Sequence, residues 1–334
     1  MKSPITGKEM RRHKERRQFN YRKDSFDIIY QYYQCDDTGE RFTDDELDDL
    51  NLNLVHNQYR AKYGIPFTDE IKEIRLKYDL SAAKMSEVLG LGANIYRLYE
   101  AGEMPTVANG RMIRMAEDPK EFRKWLEFSR NVFEPHEFEK LQKKIDHNCH
   151  ESNVFFENFE QWLFGTKLPN IYNGFKVPSI GKTGCMVQFF AKKNKPFITS
   201  MNKLMFYADF GHFKQYGTGI SGMVYKAIQK GPVPAEYNRI YNEILNNGYV
   251  KIKEEDFGEY VGEKLYSGEK KDAPEDIFSE TELKILQKVS DKFKGWSSKK
   301  IVEASHTEKA WQHNEEDFGR ISYEYSFDIK HLEE

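Results

Sequence analysis

Apolar residues in the second half of the chain recur with a helical period. Tyr237, Ile240, Tyr241, Ile244 and Leu245 stand at i, i+3, i+4, i+7 and i+8, a spacing that gathers side chains on one helix face. Pro234 breaks the chain before them, and Asn247-Gly248 ends the helix after them. Tyr249 to Lys253 alternates instead, as a half-buried strand does. Asn202 to Phe210 is apolar on nearly every side, which predicts a buried helix. Ser279 with Glu282 forms a capping box that opens a helix carrying Leu283, Ile285, Leu286 and Val289. Nearer the start, Phe26 to Gln34 is rich in aromatic and β-branched residues and predicts a strand, with a turn at Asp37-Thr38-Gly39. Leu47, Leu50, Leu54 and Tyr59 predict a helix from Thr43 to Gly64, stopped by Gly64-Ile65-Pro66.

Phe67 to about Glu117 reads as short helices interrupted at Leu80-Ser81, Leu89-Gly90 and Glu100-Ala101-Gly102, and Asp118-Pro119 closes the block. Pro119 to about Gly165 is helical and aromatic-rich, broken near Pro135, and reads as a connector whose Trp125, Phe133 and Trp162 must pack somewhere. A loop from Pro169 to Gly184 leads into a second folded unit. The expected fold is α+β, mainly α, in four segments: a small β module with its helix over 1–66, a helix-turn-helix over 67–118, a helical connector over 119–169 and a mostly helical domain over 170–334.

Charge changes this picture only locally. The chain of 334 residues carries 51 Lys+Arg against 54 Asp+Glu, a net charge of -3, which excludes a general nucleic-acid coat. Within the first fifty residues, however, Met1–Lys23 holds nine bases against two acids, and Asp36–Asp49 holds eight acids against Arg41 alone, so the two stretches can pair. The longest apolar run is five residues, Leu204 to Ala208, far below the roughly 18 needed to span a bilayer. Met1 to Arg17 has no hydrophobic core of a signal peptide, and three cysteines in so long a chain fit a reducing compartment, so a cytoplasmic protein without membrane contact is expected. Nucleotide-binding and hydrolase motifs are missing, so no enzyme, catalytic residue or cofactor is expected.

The stretch from Ile71 to Gly102 carries the most specific signal. Ser81 can cap a helix bearing Met85, Val88 and Leu89, and Gly90 allows a sharp turn into a second helix. At 100° per residue from Asn94, Ile95, Tyr96 and Tyr99 share one face, while Asn94, Arg97 and Leu98 share the other. Asn and Arg are the side chains that bond bidentately to adenine and guanine edges in the major groove. Leu-Ser, Leu-Gly-Leu-Gly and Tyr-Glu-Ala-Gly-Glu-Met-Pro resemble the lambda-repressor-type (XRE) helix-turn-helix in its antitoxin version. The resemblance implies DNA binding by Ser81, Lys84, Asn94 and Arg97, and a homodimer on an operator with two-fold symmetry. It departs from the pattern at Leu98 and Glu103, where basic residues are usual. Seven bases against seven acids from Glu70 to Glu117 make the phosphate attraction modest.

Two short stretches have metal-like spacing. Ser3-x-x-Thr6 and Cys35-x-x-Thr38 repeat the two knuckles of a zinc ribbon, and with the following helix and helix-turn-helix they resemble MqsA-type antitoxins. Only one of four ligand positions is still cysteine, and neutral hydroxyls do not replace thiolates on Zn²⁺, so no metal is expected. His147, Cys149 and His150 form the other cluster with ligand chemistry, without an evident fourth ligand, and read as a polar helix end.

In the C-terminal half, Lys203 to Phe210, Tyr216-Gly217, Ile220-Ser221-Gly222, Tyr225 to Pro234, Phe278-Ser279-Glu280 and Ser305 to Trp311 follow in the order of the Panacea domain of SocA-like antitoxins, which this half resembles. The resemblance implies direct neutralisation of a toxin encoded beside it, such as a small alarmone synthetase or another translation inhibitor. Tyr207, Phe210, Tyr225 and Pro232 read as core and turn residues, so no toxin-contact residue is assigned. Three rivals are a plain transcriptional regulator, separated by a neighbouring toxic gene, a protease adaptor, separated by the partner's half-life in cells, and a hydrolase with an unrecognised site, disfavoured by the missing motifs.

Overall fold

The structure is a computed structural model that describes residues 1–151, 154–165, 168–258, 261–269 and 277–332, with the side chains of 149–158 outside the description. The fold is α+β and mainly α. Its contacts divide the chain into two compact units: Met1–Val55 together with Asn158–Glu334, and His56–Glu157.

The first unit opens with a three-stranded antiparallel sheet of β1 (Arg11–Tyr21), β2 (Asp24–Gln34) and β3 (Arg41–Phe42). β2 is the strand its aromatic and β-branched residues predict. β1 is not: Arg11 to Tyr21 is mostly charged and has no buried residue, only His13, Glu15, Phe19 and Tyr21 being half-buried. It is held by a full ladder to β2, with Phe19 opposite Phe26 and Arg11 opposite Gln34. Arg17 lies 5.1 Å from the ring centre of Phe19 and 5.0 Å from that of Tyr30, so cation–π contacts stand in for burial. Asp44 receives the first turn of α1 (Asp45–Tyr63), accepting from the Leu47 amide at 3.0 Å. Asn51 of α1 clasps the Gln31 backbone through both amide and carbonyl, each at 2.9 Å.

Charge pairing within the N-terminal segment is realised at Lys8–Asp37 (2.8 Å), Arg11–Asp36 (3.8 Å) and Glu15–Arg41 (2.9 Å). Lys14 and Arg16 turn instead to acids near the C-terminus. Lys14 meets Asp328, and Arg16 meets Glu324 at 2.9 Å.

The C-terminal part of this unit is built around α10 (Ile198–Tyr216), every residue of which from Ser200 to Phe213 is buried. It follows α8 (Val154–Phe164) and α9 (Ile180–Asn194). Around it stand the sheet β5-β4-β8 (Gly231–Pro234, Tyr225–Ile228, Arg320–Ile321), the ribbon β6–β7 (Val250–Asp256, Val261–Ser267), and the helices α11 (Tyr237–Asn246), α12 (Glu280–Lys292), α13 (Ser298–His306) and α14 (Lys309–Gln312). The buried helix, the strand after Tyr249 and the Ser279–Glu282 capping box all occur as their patterns predict. Phe206, Tyr207, Phe210, Phe213, Tyr225 and Tyr323 are completely buried and form an aromatic core.

The second unit contains the rest of α1, then α2 (Thr68–Leu76), α3 (Ala82–Val88), α4 (Ile95–Glu100), α5 (Val107–Met115), α6 (Pro119–Phe128) and α7 (Pro135–Glu151). One core serves α2 to α7, from Ile71 and Tyr78 through Met85 and Tyr96 to Phe122 and Ile145. α6 and α7 lie in the stretch read as a connector. Their apolar residues Phe122, Leu126, Phe138 and Leu141 belong to that core, with Trp125 and Phe133 packed against it. The helical run is interrupted after Phe128 and resumes at Pro135, which opens α7 because a proline at the first helical position lacks only an amide that would have no partner there.

Candidate functional site

The α3–turn–α4 hairpin is built by a few directed contacts. Ser81 is the N-cap of α3 and accepts from the Lys84 amide at 3.1 Å. Gly90 takes φ 65°, a left-handed conformation that glycine adopts without a Cβ penalty, and so permits the turn. The buried Ser86 hydroxyl accepts from the Tyr96 amide at 3.1 Å and ties α3 to the start of α4. Arg75 grips Glu100 through two nitrogens, at 2.6 and 3.3 Å, and joins α2 to the end of α4. Tyr96 donates to the Ile71 carbonyl at 2.7 Å, and its phenol pKa is raised beyond the usual range by burial and by Glu100. A helix of six residues cannot hold itself in water. These bonds and the burial of Tyr96 and Tyr99 fix it.

The face opposite Tyr96 and Tyr99 is open. Asn94, Arg97 and Leu98 are exposed, the arrangement that the angular spacing predicts, and Asn94 holds the N-cap position of α4 without a side-chain capping bond. Lys84 stands apart from them in its bonding: its Nζ donates to the Val132 carbonyl at 2.6 Å, lies 3.3 Å from Glu87 and sits 5.1 Å from the ring centre of Phe133.

The four knuckle positions of the N-terminal module do converge. Thr6 Oγ1 is 3.5 Å from Cys35 Sγ. Hydrogen bonds from Thr38, Thr6 and Ser3, in that order of strength, pull the thiol pKa down to about 6. The two turns lie close together, with one thiol and three hydroxyls at the four positions. One thiol among three neutral hydroxyls does not fit a structural zinc site, and among the described residues no group of three or more His, Cys, Asp or Glu could hold a metal. The side chains of Cys149 and His150 lie outside the described residues.

In the C-terminal part, polar groups that the sequence pattern hides among apolar letters organise the core. Asp209 is completely buried on α10 and accepts from the amides of Ile220 and Ser221 and from the Tyr225 hydroxyl, each at 2.7 Å, and from the Ser221 hydroxyl. Burial pushes its pKa up and these donors oppose the push. Asp209 thereby fastens the 218–225 loop to the central helix. Glu308 does the same for the C-terminus, accepting from the amides of Lys330 (2.9 Å) and His331 (3.3 Å). Tyr207, Phe210, Tyr225 and Pro232 are buried, as expected of core residues.

The buried central helix, the short sheet and the helices that follow lie largely in the stretch that the comparison with known families matches. Residues 201–312 match the family described as Antitoxin SocA-like, Panacea domain. Over that stretch, about a third of the chain, the sequence is similar to the Panacea domain. The match does not reach residues 1–200, so the zinc-ribbon and helix-turn-helix resemblances rest on sequence alone. No curated protein and no solved structure matches the chain. Among the described residues, no helix is long and apolar enough to cross a membrane.

Proposed function

We propose that the chain is the antitoxin of a type II toxin–antitoxin pair. Its C-terminal domain, residues 170–334, binds and neutralises a toxin encoded beside it, and its helix-turn-helix, residues 67–118, binds the promoter and represses the pair. The Panacea match at residues 201–312 carries the reading, because that family is one of SocA-like antitoxins. Neutralisation by binding needs no catalytic group and no cofactor, and the protein is proposed not to be an enzyme. The family reading does not name the toxin, for which a small alarmone synthetase or another translation inhibitor is one example.

DNA binding is supported by the exposed Asn94 and Arg97 on a short helix locked from behind. A homodimer supplies two such helices to an inverted repeat. Ser81 contributes its hydroxyl at the start of α3, and Lys84 a phosphate contact. Residues 1–66 and 119–169 are proposed to support these two activities rather than to carry one.

Expression of the neighbouring gene alone, and then with this chain, tests the reading. Growth arrest by the first and restored growth with a co-purifying complex in the second are expected. A neighbour that is harmless when expressed alone points to a plain regulator. Rescue accompanied by a shortened half-life of the partner points to a protease adaptor.

A further inference from the structure

A cavity of about 910 Å³ opens in the C-terminal part between the N-terminal ends of α10 and α13, β5 and the β6–β7 ribbon. This volume is typical of a small-molecule site. Five lysines line it, Lys195, Lys203, Lys230, Lys264 and Lys299, against one acid, Glu263. Two of the five are engaged: Lys264 with Glu255 at 3.0 Å and Lys299 with Glu303 at 3.9 Å.

Lys203 is the anomaly. It is 0% exposed, and its Nζ has no hydrogen-bond partner. A buried ammonium without a counter-charge is among the costliest groups a fold can carry. Burial, and then the charge of Lys230, bring its pKa down to about 7. Gly231 makes room for it, since a Cβ there would meet Lys203 Cε at 2.7 Å. Helical side chains lean toward the N-terminus of their helix, and Lys203 stands three and four residues after Ser200 and Thr199, which also line the cavity.

The helix ends add donors. α10 has 19 residues and begins after Phe197, which supplies no side-chain cap. α13 begins beside it, with its Lys300 amide already capped by the Ser297 hydroxyl at 3.2 Å and its first two amides left free, and the Ser200 and Ser298 hydroxyls are 2.8 Å apart. One of these hydroxyls donates to the other, which leaves the second proton able to point elsewhere. Two positive helix ends, a hydroxyl and an unpaired ammonium therefore meet in one cavity.

We propose that this cavity binds a phosphate group, with Lys203 as its buried counter-charge, Lys230 at the mouth, and the first turns of α10 and α13 as amide donors. Phe197, Tyr237 and Trp296 form an apolar wall beside the charged end, so a phosphate monoester of an aromatic or heterocyclic compound fits better than free phosphate. The site is independent of the DNA reading, because none of its residues belongs to the α3–α4 face, and it lies within the domain proposed to bind the toxin.

Titration of the full chain with inorganic phosphate and with phenyl phosphate, by calorimetry at constant ionic strength, tests it. Saturable binding in the range of about 1 mM or tighter is expected, and Lys203→Met and Lys230→Ser should each weaken it by at least about tenfold. Lys230 is exposed, so its substitution reports on the site without touching the core. Tighter binding of phenyl phosphate assigns the site to a phosphorylated organic ligand, and equal binding assigns it to free phosphate. Absence of binding by both probes, or binding unchanged in folded Lys203→Met and Lys230→Ser proteins, overturns the proposal.

Discussion

Two buried bases in the C-terminal part show how single side chains tax the fold. Lys203 titrates near 7 when folded and near 10.4 when unfolded. Between those values the unfolded chain holds more protons, so stability rises with pH across that window and is lowest below it. Lys203→Met should abolish the rise and increase the unfolding free energy at pH 7, as read from urea denaturation, by an amount on the order of a few kcal/mol. A variant that keeps the wild-type pH slope between pH 7 and 9.5 would place the deprotonating group elsewhere. His212 works in the other part of the scale. Burial brings its pKa down to about 4, and the neutral ring donates from Nδ1 to the Thr218 carbonyl at 2.7 Å while Nε2 lies 3.2 Å from the Thr281 hydroxyl. The unfolded imidazole titrates near 6.5, so its contribution is complete above pH 6.5 and is lost as pH falls toward 4. His212→Gln should flatten the stability profile over that interval, as read by thermal melts at pH 4.5 and 7. Neither residue announced itself in the sequence. Lys203 and His212 sit within a helix whose burial was legible, but which of its polar letters point inward depends on the elements that surround it on all sides.

At the scale of elements, what could be read was whatever has a short period. The α3–α4 hairpin follows from a cap, a glycine and the angular separation of Tyr96 and Tyr99 from Asn94 and Arg97. Under the proposed DNA reading, Asn94→Ala or Arg97→Ala should each cost about 1–3 kcal/mol and relax specificity at one base pair. Lys84→Ala should weaken binding to all sequences by a smaller factor, because its Nζ already bonds to Val132 and approaches Glu87. Electrophoretic shifts on the promoter and on scrambled DNA separate the two effects, and equal losses on both for Asn94→Ala would remove it from base readout. β1 escaped the pattern because a charged, exposed strand lacks the alternation that marks half-buried ones. Only its pairing with β2 and its contacts to Asp328 and Glu324 explain it, and those lie far along the chain. The knuckle turns were legible as a spacing, and the structure brings Thr6 to Cys35. Elemental analysis of purified protein should find no stoichiometric zinc, and EDTA should leave the melting temperature unchanged. Near one zinc per chain would contradict that.

For the whole molecule, the Asp118-Pro119 and Pro169–Gly184 punctuation marks the helix-turn-helix stretch off from a C-terminal domain. The compact units follow a different line, since Met1–Val55 belongs with Asn158–Glu334 while α6 and α7 complete the core of the unit that holds α3 and α4. Amphipathic helices such as α6 and α7 declare a buried face but not the partner that buries it, which is why a connector was the natural reading. If neutralisation and promoter binding are separable, the point variants rather than truncations should show it, because truncation before 119 removes β1 to β3 from their own unit. The most direct measurement is therefore made in cells with full-length protein. The neighbouring gene is induced with either the wild type or the Asn94→Ala, Arg97→Ala double variant, and growth and promoter occupancy are followed together. The account predicts equal rescue by both proteins, with occupancy lost only in the double variant. Failure of both proteins to restore growth, or loss of rescue together with loss of promoter binding in a folded double variant, would contradict it.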